Sequence, residues 1–183
     1  MKAITGVMLI IICAMIPSSI ILPQKDLSFS IIQLYSNWQI HGVLLTSLIC
    51  GPYIGTISAL TYLIIGLFYL PVFHGGGSVG YILTHEFGYL LGLLPAAWTC
   101  GFLSKKTIKA NLINYSFYAI ISLFILHIAG IIYLILGRSL GIWIDNLSDM
   151  ILLNSLIPLP SQLLLCVAIS LLAICLKRLL IIE

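Results

Sequence analysis

Charge is almost missing from this chain. Eight lysines and arginines and five aspartates and glutamates are spread over 183 residues, 7% of the total, against 61% hydrophobic residues. A soluble domain carries about 25% charge, and no hydrated surface can be built from much less. The balance excludes a cytosolic enzyme, a nucleic-acid binder and a disordered tail. It predicts an all-α integral membrane protein, a single membrane domain over residues 1–183. At about 20 residues per spanning helix, the length allows about six spans with short loops.

Apolar runs of bilayer length place those spans at about 3–22, 31–50, 53–70, 85–103, 112–137 and 160–180. Gly51-Pro52 separates the second from the third, and Pro71 closes the third. Residues 1–22 resemble a secretory signal only loosely. The run is too long for an h-region and no A-x-A site follows, so it reads as an uncleaved span. With the N-terminus inside, Lys2, Lys105, Lys106, Lys109, Lys177 and Arg178 fall on the cytoplasmic side, and only Lys25 and Arg138 fall outside. That bias predicts both termini in the cytoplasm, with outer loops at about 23–35, 71–84 and 138–159. Segment 138–159 holds Asp145, Asn146, Asp149 and Asn154, too polar to span, and its apolar residues recur at helical spacing. It reads as an amphipathic helix against the outer face.

Polar side chains crowd the outer ends of the second, fourth and sixth spans. Asn37, Trp38, Gln39 and His41 stand at the first of these, Tyr81, His85 and Glu86 at the second, and Ser161 and Gln162 at the third, with Arg138 and Asp145 nearby. Such groups either line a pocket open to the exterior or solvate helix ends. His85-Glu86 suggests a zinc motif, but the partner position one turn on is Tyr89, so the motif is absent. His127, alone in the fifth span, reads as a hydrogen bonder in helix packing. Cys13, Cys50, Cys100, Cys166 and Cys175 are scattered and odd in number, which suits apolar packing and neither a disulfide framework nor a metal site. Gly75-Gly76-Gly77 lacks the lysine-serine pair of a phosphate loop. Gly51 and Gly55, and Gly88, Gly92 and Ala96, carry the four-residue spacing of small residues that lets membrane helices approach closely.

One stretch is more specific. Gly51-Pro52-Tyr53-Ile54-Gly55, Ser58, Tyr62 and Gly66 are followed by Leu70-Pro71-Val72-Phe73-His74-Gly75-Gly76. Gly88-Tyr89-Leu90-Leu91-Gly92, Ala96-Ala97 and Gly101 complete it. This resembles the BioY family, the biotin-specific substrate-capture (S) subunits of energy-coupling factor (ECF) transporters. The resemblance implies six spans around an outward pocket and uptake of biotin. It also implies partnership with an ECF transmembrane T subunit and a pair of cytoplasmic ATPases. Neither an enzymatic activity nor a cofactor is implied, and the setting would be a prokaryotic cell membrane.

Biotin joins a cyclic urea, an apolar thioether ring and a carboxylate tail. Under the resemblance, Gln39, Asn37 and Gln162 would serve the urea, and Trp38, Phe73, Tyr81 and Tyr89 would line the ring. Gly75 and Gly76 would let the connector approach the ligand, and Arg138 would hold the tail. Ala14 and Ser18 are the nearest match to the small residues with which the first span docks the T subunit. The chain departs from the family at the start of the sixth span, where Gln162 and Leu165 stand in place of an aspartate and a lysine. Three other readings follow from the same residues: a relative carrying a different small ligand, a non-transporting membrane scaffold, or an intramembrane enzyme using His85, Glu86 and His127.

Overall fold

A single glycine with a left-handed backbone turns the chain between its second and third apolar helices. Gly51 has φ 85°, a conformation costly for any residue with a Cβ, and Pro52 then opens the next helix where its missing N–H is not needed. The computed structural model describes residues 2–23, 29–73, 76–106 and 111–179. Along them run α1 (Lys2–Met15), β1 (Pro17–Pro23), β2 (Phe29–Asn37), α2 (Trp38–Cys50), α3 (Pro52–Phe68), α4 (Phe87–Lys106), α5 (Leu112–Ser139), α6 (Leu147–Ile151) and α7 (Leu159–Leu179). A 3-10 turn, Val79–Leu83, precedes α4, and a π turn, Leu152–Leu156, joins α6 to α7.

The long helices alternate in direction between two ends. At one end Ser58 donates to Ala3 O, Ser104 to Leu48 O and Lys177 to Tyr115 Oη. Lys105, Lys106, Lys177 and Arg178 occupy the last turns of α4 and α7 there, where a cation complements the helix dipole. At the other end lie the 3-10 turn, the π turn and the β-pair. The molecule thus has a lysine end and a connector end.

The first two expected spans are shorter than their apolar runs. The first helix stops at Met15, and residues 17–23 pair antiparallel with 29–37, Ile20 opposite Ile32 and Ile21 opposite Ile31. Pro17 lacks the N–H that would continue α1, and β-branched isoleucines suit a strand as well as a membrane helix. Helices α1, α2 and α3 have 14, 13 and 17 residues. At 1.5 Å per residue they reach about 20–26 Å, short of the roughly 30 Å of a hydrocarbon core. The other three apolar segments, Phe87–Lys106, Leu112–Ser139 and Leu147–Leu179, are long enough to cross. The segment expected as one amphipathic helix over 138–159 is instead the end of α5, a loop through residue 146, then α6 and the π turn leading to α7.

Small residues seat these helices. A Cβ on Gly92 would lie 2.9 Å from the main-chain oxygen of Leu126, and one on Gly88 would meet the Tyr133 ring, so both α4 glycines serve the α4–α5 seam. Gly55 lies against Ser47, and Gly101 against the backbone of Pro52. The core between them is apolar and fully buried at Ile10, Leu44, Leu48, Leu93, Leu123 and Leu126. Outward, Ile57, Ile64, Phe117, Phe124, Ile128 and Leu171 are exposed, as a lipid-facing surface requires.

Candidate functional site

Gln162, in the first turn of α7, is a buried amide that ties three helices together. Its main-chain oxygen accepts a hydrogen bond from His41 Nε2 on α2 at 3.0 Å. Its side-chain Oε1 accepts one from His127 Nε2 on α5 at 2.7 Å. All three side chains are buried. Tyr89 of α4 sets its ring edge-on to His127, with centroids 5.8 Å apart, and its hydroxyl is hydrogen-bonded to Ser155 of the π turn at 2.7 Å. Gly130 makes room for that ring, since a Cβ there would strike it. Trp38, half-buried in the first turn of α2, packs edge-on against His41. Polar groups this deep in an apolar bundle are costly, and by default they face each other or a solute.

Gln39 is buried too, and its Nε2 has no hydrogen-bond partner among the described residues. A buried unmet donor costs about 1–3 kcal/mol. A ligand carbonyl would remove that cost.

A second group lies under the connector between α3 and α4. Phe73 is buried against Gly66, between the rings of Tyr62 at 5.5 Å and Tyr81 at 5.0 Å. Gly76, with φ 126°, folds back so that its N–H donates to Phe73 O at 3.0 Å. Tyr62 donates to Val72 O at 2.9 Å, and Tyr81 to Glu86 Oε2 at 2.5 Å. Burial, and then the bond to Glu86, hold the Tyr81 phenol well above its ordinary value, so it stays a neutral donor.

The rim is made by Arg138, exposed at the end of α5. Its guanidinium donates to the main-chain oxygens of Ile144 and Asp145. Trp143 donates to Leu83 O at 2.9 Å, joining the two connectors, and Tyr133 of α5 donates to Ile82 O. His85 packs at a tilt against the Trp143 ring, with centroids 4.8 Å apart, and lies 3.8 Å from Asp145.

The structure therefore brings Gln162, Tyr89 and Trp38 into one neighbourhood, and Phe73, Gly76 and Tyr81 into another. Gln39 is buried at the second residue of α2, just after β2, and Arg138 stands exposed at the end of α5. Of Asn37 and Ser18 only the backbone is described, at the end of β2 and within β1; Gly75 lies outside the described residues. Ala14 is buried in the bundle core, in the last turn of α1. His127, alone in its apolar span, hydrogen-bonds across helices. Its bond to Gln162 had no local signal, because 35 residues separate them. No group of three His, Cys, Asp or Glu among the described residues could hold a metal ion.

A buried cluster of amides and imidazoles at one end of an apolar bundle defines a multi-pass membrane protein with a polar site inside it. The model of the BioY family matches residues 1–181, and the chain belongs to that family. It is 33% identical over 111 residues to a Lysinibacillus sphaericus protein named "Probable biotin transporter BioY", a match over 61% of this chain and 56% of the relative. It is also 30% identical over 145 residues to an uncharacterized 21.2 kDa protein of Cyanophora paradoxa from the psbX-ycf33 intergenic region, over 79% of this chain and 74% of that one. The match thus spans little more than half the length of the Lysinibacillus relative. In fold, the chain matches the crystal structure of the S-component for biotin from an ECF-type ABC transporter. The TM-score is 0.73, with 23% identity, and the match covers 96% of this chain and 88% of the other.

Proposed function

We propose that this protein is a biotin-binding S component. It captures biotin at the connector end, facing the outside of the cell membrane, and delivers it inward with an ATP-driven module of a T subunit and two ATPases. The observation that carries this reading is the buried amide–imidazole cluster around Gln162 in a chain that matches the BioY family from end to end. A cyclic urea needs both donors and acceptors where water is absent, and this cluster supplies them. Gln39 Nε2 is suited to the urea oxygen. Trp38 and Tyr89, with Phe73 and Tyr81, supply aromatic surface for the thioether ring. Arg138 is the cation for the tail, since only part of its guanidinium is taken by the Ile144 and Asp145 carbonyls.

Calorimetry on the purified protein tests the reading. Biotin binds tightly, and Arg138→Ala weakens it by about 10-fold, the 1.4 kcal/mol of one charge-assisted bond. Biotin amide, which lacks the acid, is already weak on the wild type and is indifferent to Arg138→Ala. Unchanged affinity for biotin in Arg138→Ala removes Arg138 from the site. Tight binding of the amide alone favours a different, uncharged ligand, the reading to which Leu165 points. No binding of either favours a scaffold. Uptake of labelled biotin by cells lacking their own transporter, with and without T and ATPase subunits, tests the partners.

A further inference from the structure

An amide oxygen can only accept a hydrogen bond, so the proton between His127 and Gln162 sits on His127 Nε2. A neutral imidazole has one N–H. Its other nitrogen, Nδ1, is then a bare acceptor. In this chain that nitrogen is buried and has no partner among the described residues. The ring cannot easily swing to find one. Gln162 holds Nε2, the edge-on Tyr89 ring stands 5.8 Å away, and Ser155 holds the Tyr89 hydroxyl. The Gln162 backbone is tied to α2, because His41 donates to its main-chain oxygen, and its side chain is buried. The arrangement sets one acceptor in place among apolar helices and leaves it unmet, which costs free energy until a donor arrives.

We propose that His127 is a ligand-binding residue that accepts a hydrogen bond on Nδ1 from a ring N–H of the cyclic urea, with Gln162 as the positioning residue that fixes its tautomer. The assignment rests on the biotin reading above. It also accounts for the side chains at the head of α7. Gln162 and Leu165 offer no anionic acceptor there, and a neutral imidazole supplies an acceptor without burying a charge.

The test uses the full chain in lipid nanodiscs, with biotin and with biotin methylated at either ring nitrogen. In the wild type, one methyl isomer binds about 10-fold more weakly than biotin, the value of one hydrogen bond. In His127→Phe, biotin itself weakens by about 10-fold, and its advantage over that isomer falls to about twofold or less. His127→Gln, which keeps a donor for Gln162 and an acceptor beyond it, retains the discrimination. Discrimination that survives intact in His127→Phe, or biotin affinity that does not change, overturns the role of His127 alone. No binding of biotin by the wild type overturns the biotin reading itself. Should His127→Phe not fold, ¹⁵N spectra of histidine-labelled wild type decide: biotin moves the Nδ1 signal of His127 upfield, and an unmoved signal overturns the proposal. Gln162→Leu gives the same spectra as a mixture of tautomers. A single Nε2–H tautomer in that variant removes Gln162 as the positioning residue.

Discussion

Gly66 shows how little freedom one residue has beside the connector. A Cβ there would collide with the Phe73 ring, which is already held between Tyr62 and Tyr81. Gly66→Leu is expected to push Phe73 out, lower the melting temperature and weaken biotin by about 10-fold or more, since overpacking a filled site costs about 1–3 kcal/mol. Gly80→Ala is the control. A Cβ at Gly80 meets only Ser78 Oγ at 3.4 Å, and both the melt and the isotherm should match the wild type. At this scale the sequence marks Gln39 and Gln162 as polar residues at span ends, and both are buried. Ser155 was not legible. A serine in a polar connector carries no sign that a tyrosine 66 residues earlier will find it.

Elements divide by how they end. The α4–α5 seam follows from glycine spacing, and the structure shows the reason in the 2.9 Å approach to Leu126 O at Gly92. Backbone cannot retreat as a side chain can. Gly92→Val is therefore expected to part α4 from α5, displace Tyr89 from His127 and abolish biotin binding, read together as a lower melting temperature and a flat isotherm. Gly92→Ala is milder in both measurements. Residues 16–22 and 31–37 read as helix in the sequence because periodicity cannot separate a buried strand from a buried helix in a run of isoleucine and leucine. Pro17 and Pro23, which bracket β1, were the local sign of the change.

For the whole molecule the uneven placement of lysine and arginine sets the expected orientation. Lys105, Lys106, Lys177 and Arg178 share one end, and Arg138 stands at the other. In a background with the five free cysteines removed, Lys106→Cys should be labelled by an impermeant thiol reagent only from the cytoplasmic side. Ser78→Cys, exposed on the opposite connector, should be labelled only from outside. Labelling of Lys106→Cys from outside would invert the molecule and move the proposed capture site to the cytoplasm.

Composition alone decided that this chain lives in a membrane as a helical bundle, because seven charged residues in a hundred cannot hydrate a surface. The proline and glycine breaks decided where most of its helices turn, because those residues act on the backbone locally. Which polar groups meet was left to the tertiary structure. His41, Tyr89, His127 and Gln162 sit on four different helices, and only the packing of those helices brings them within hydrogen-bonding and ring-contact distance.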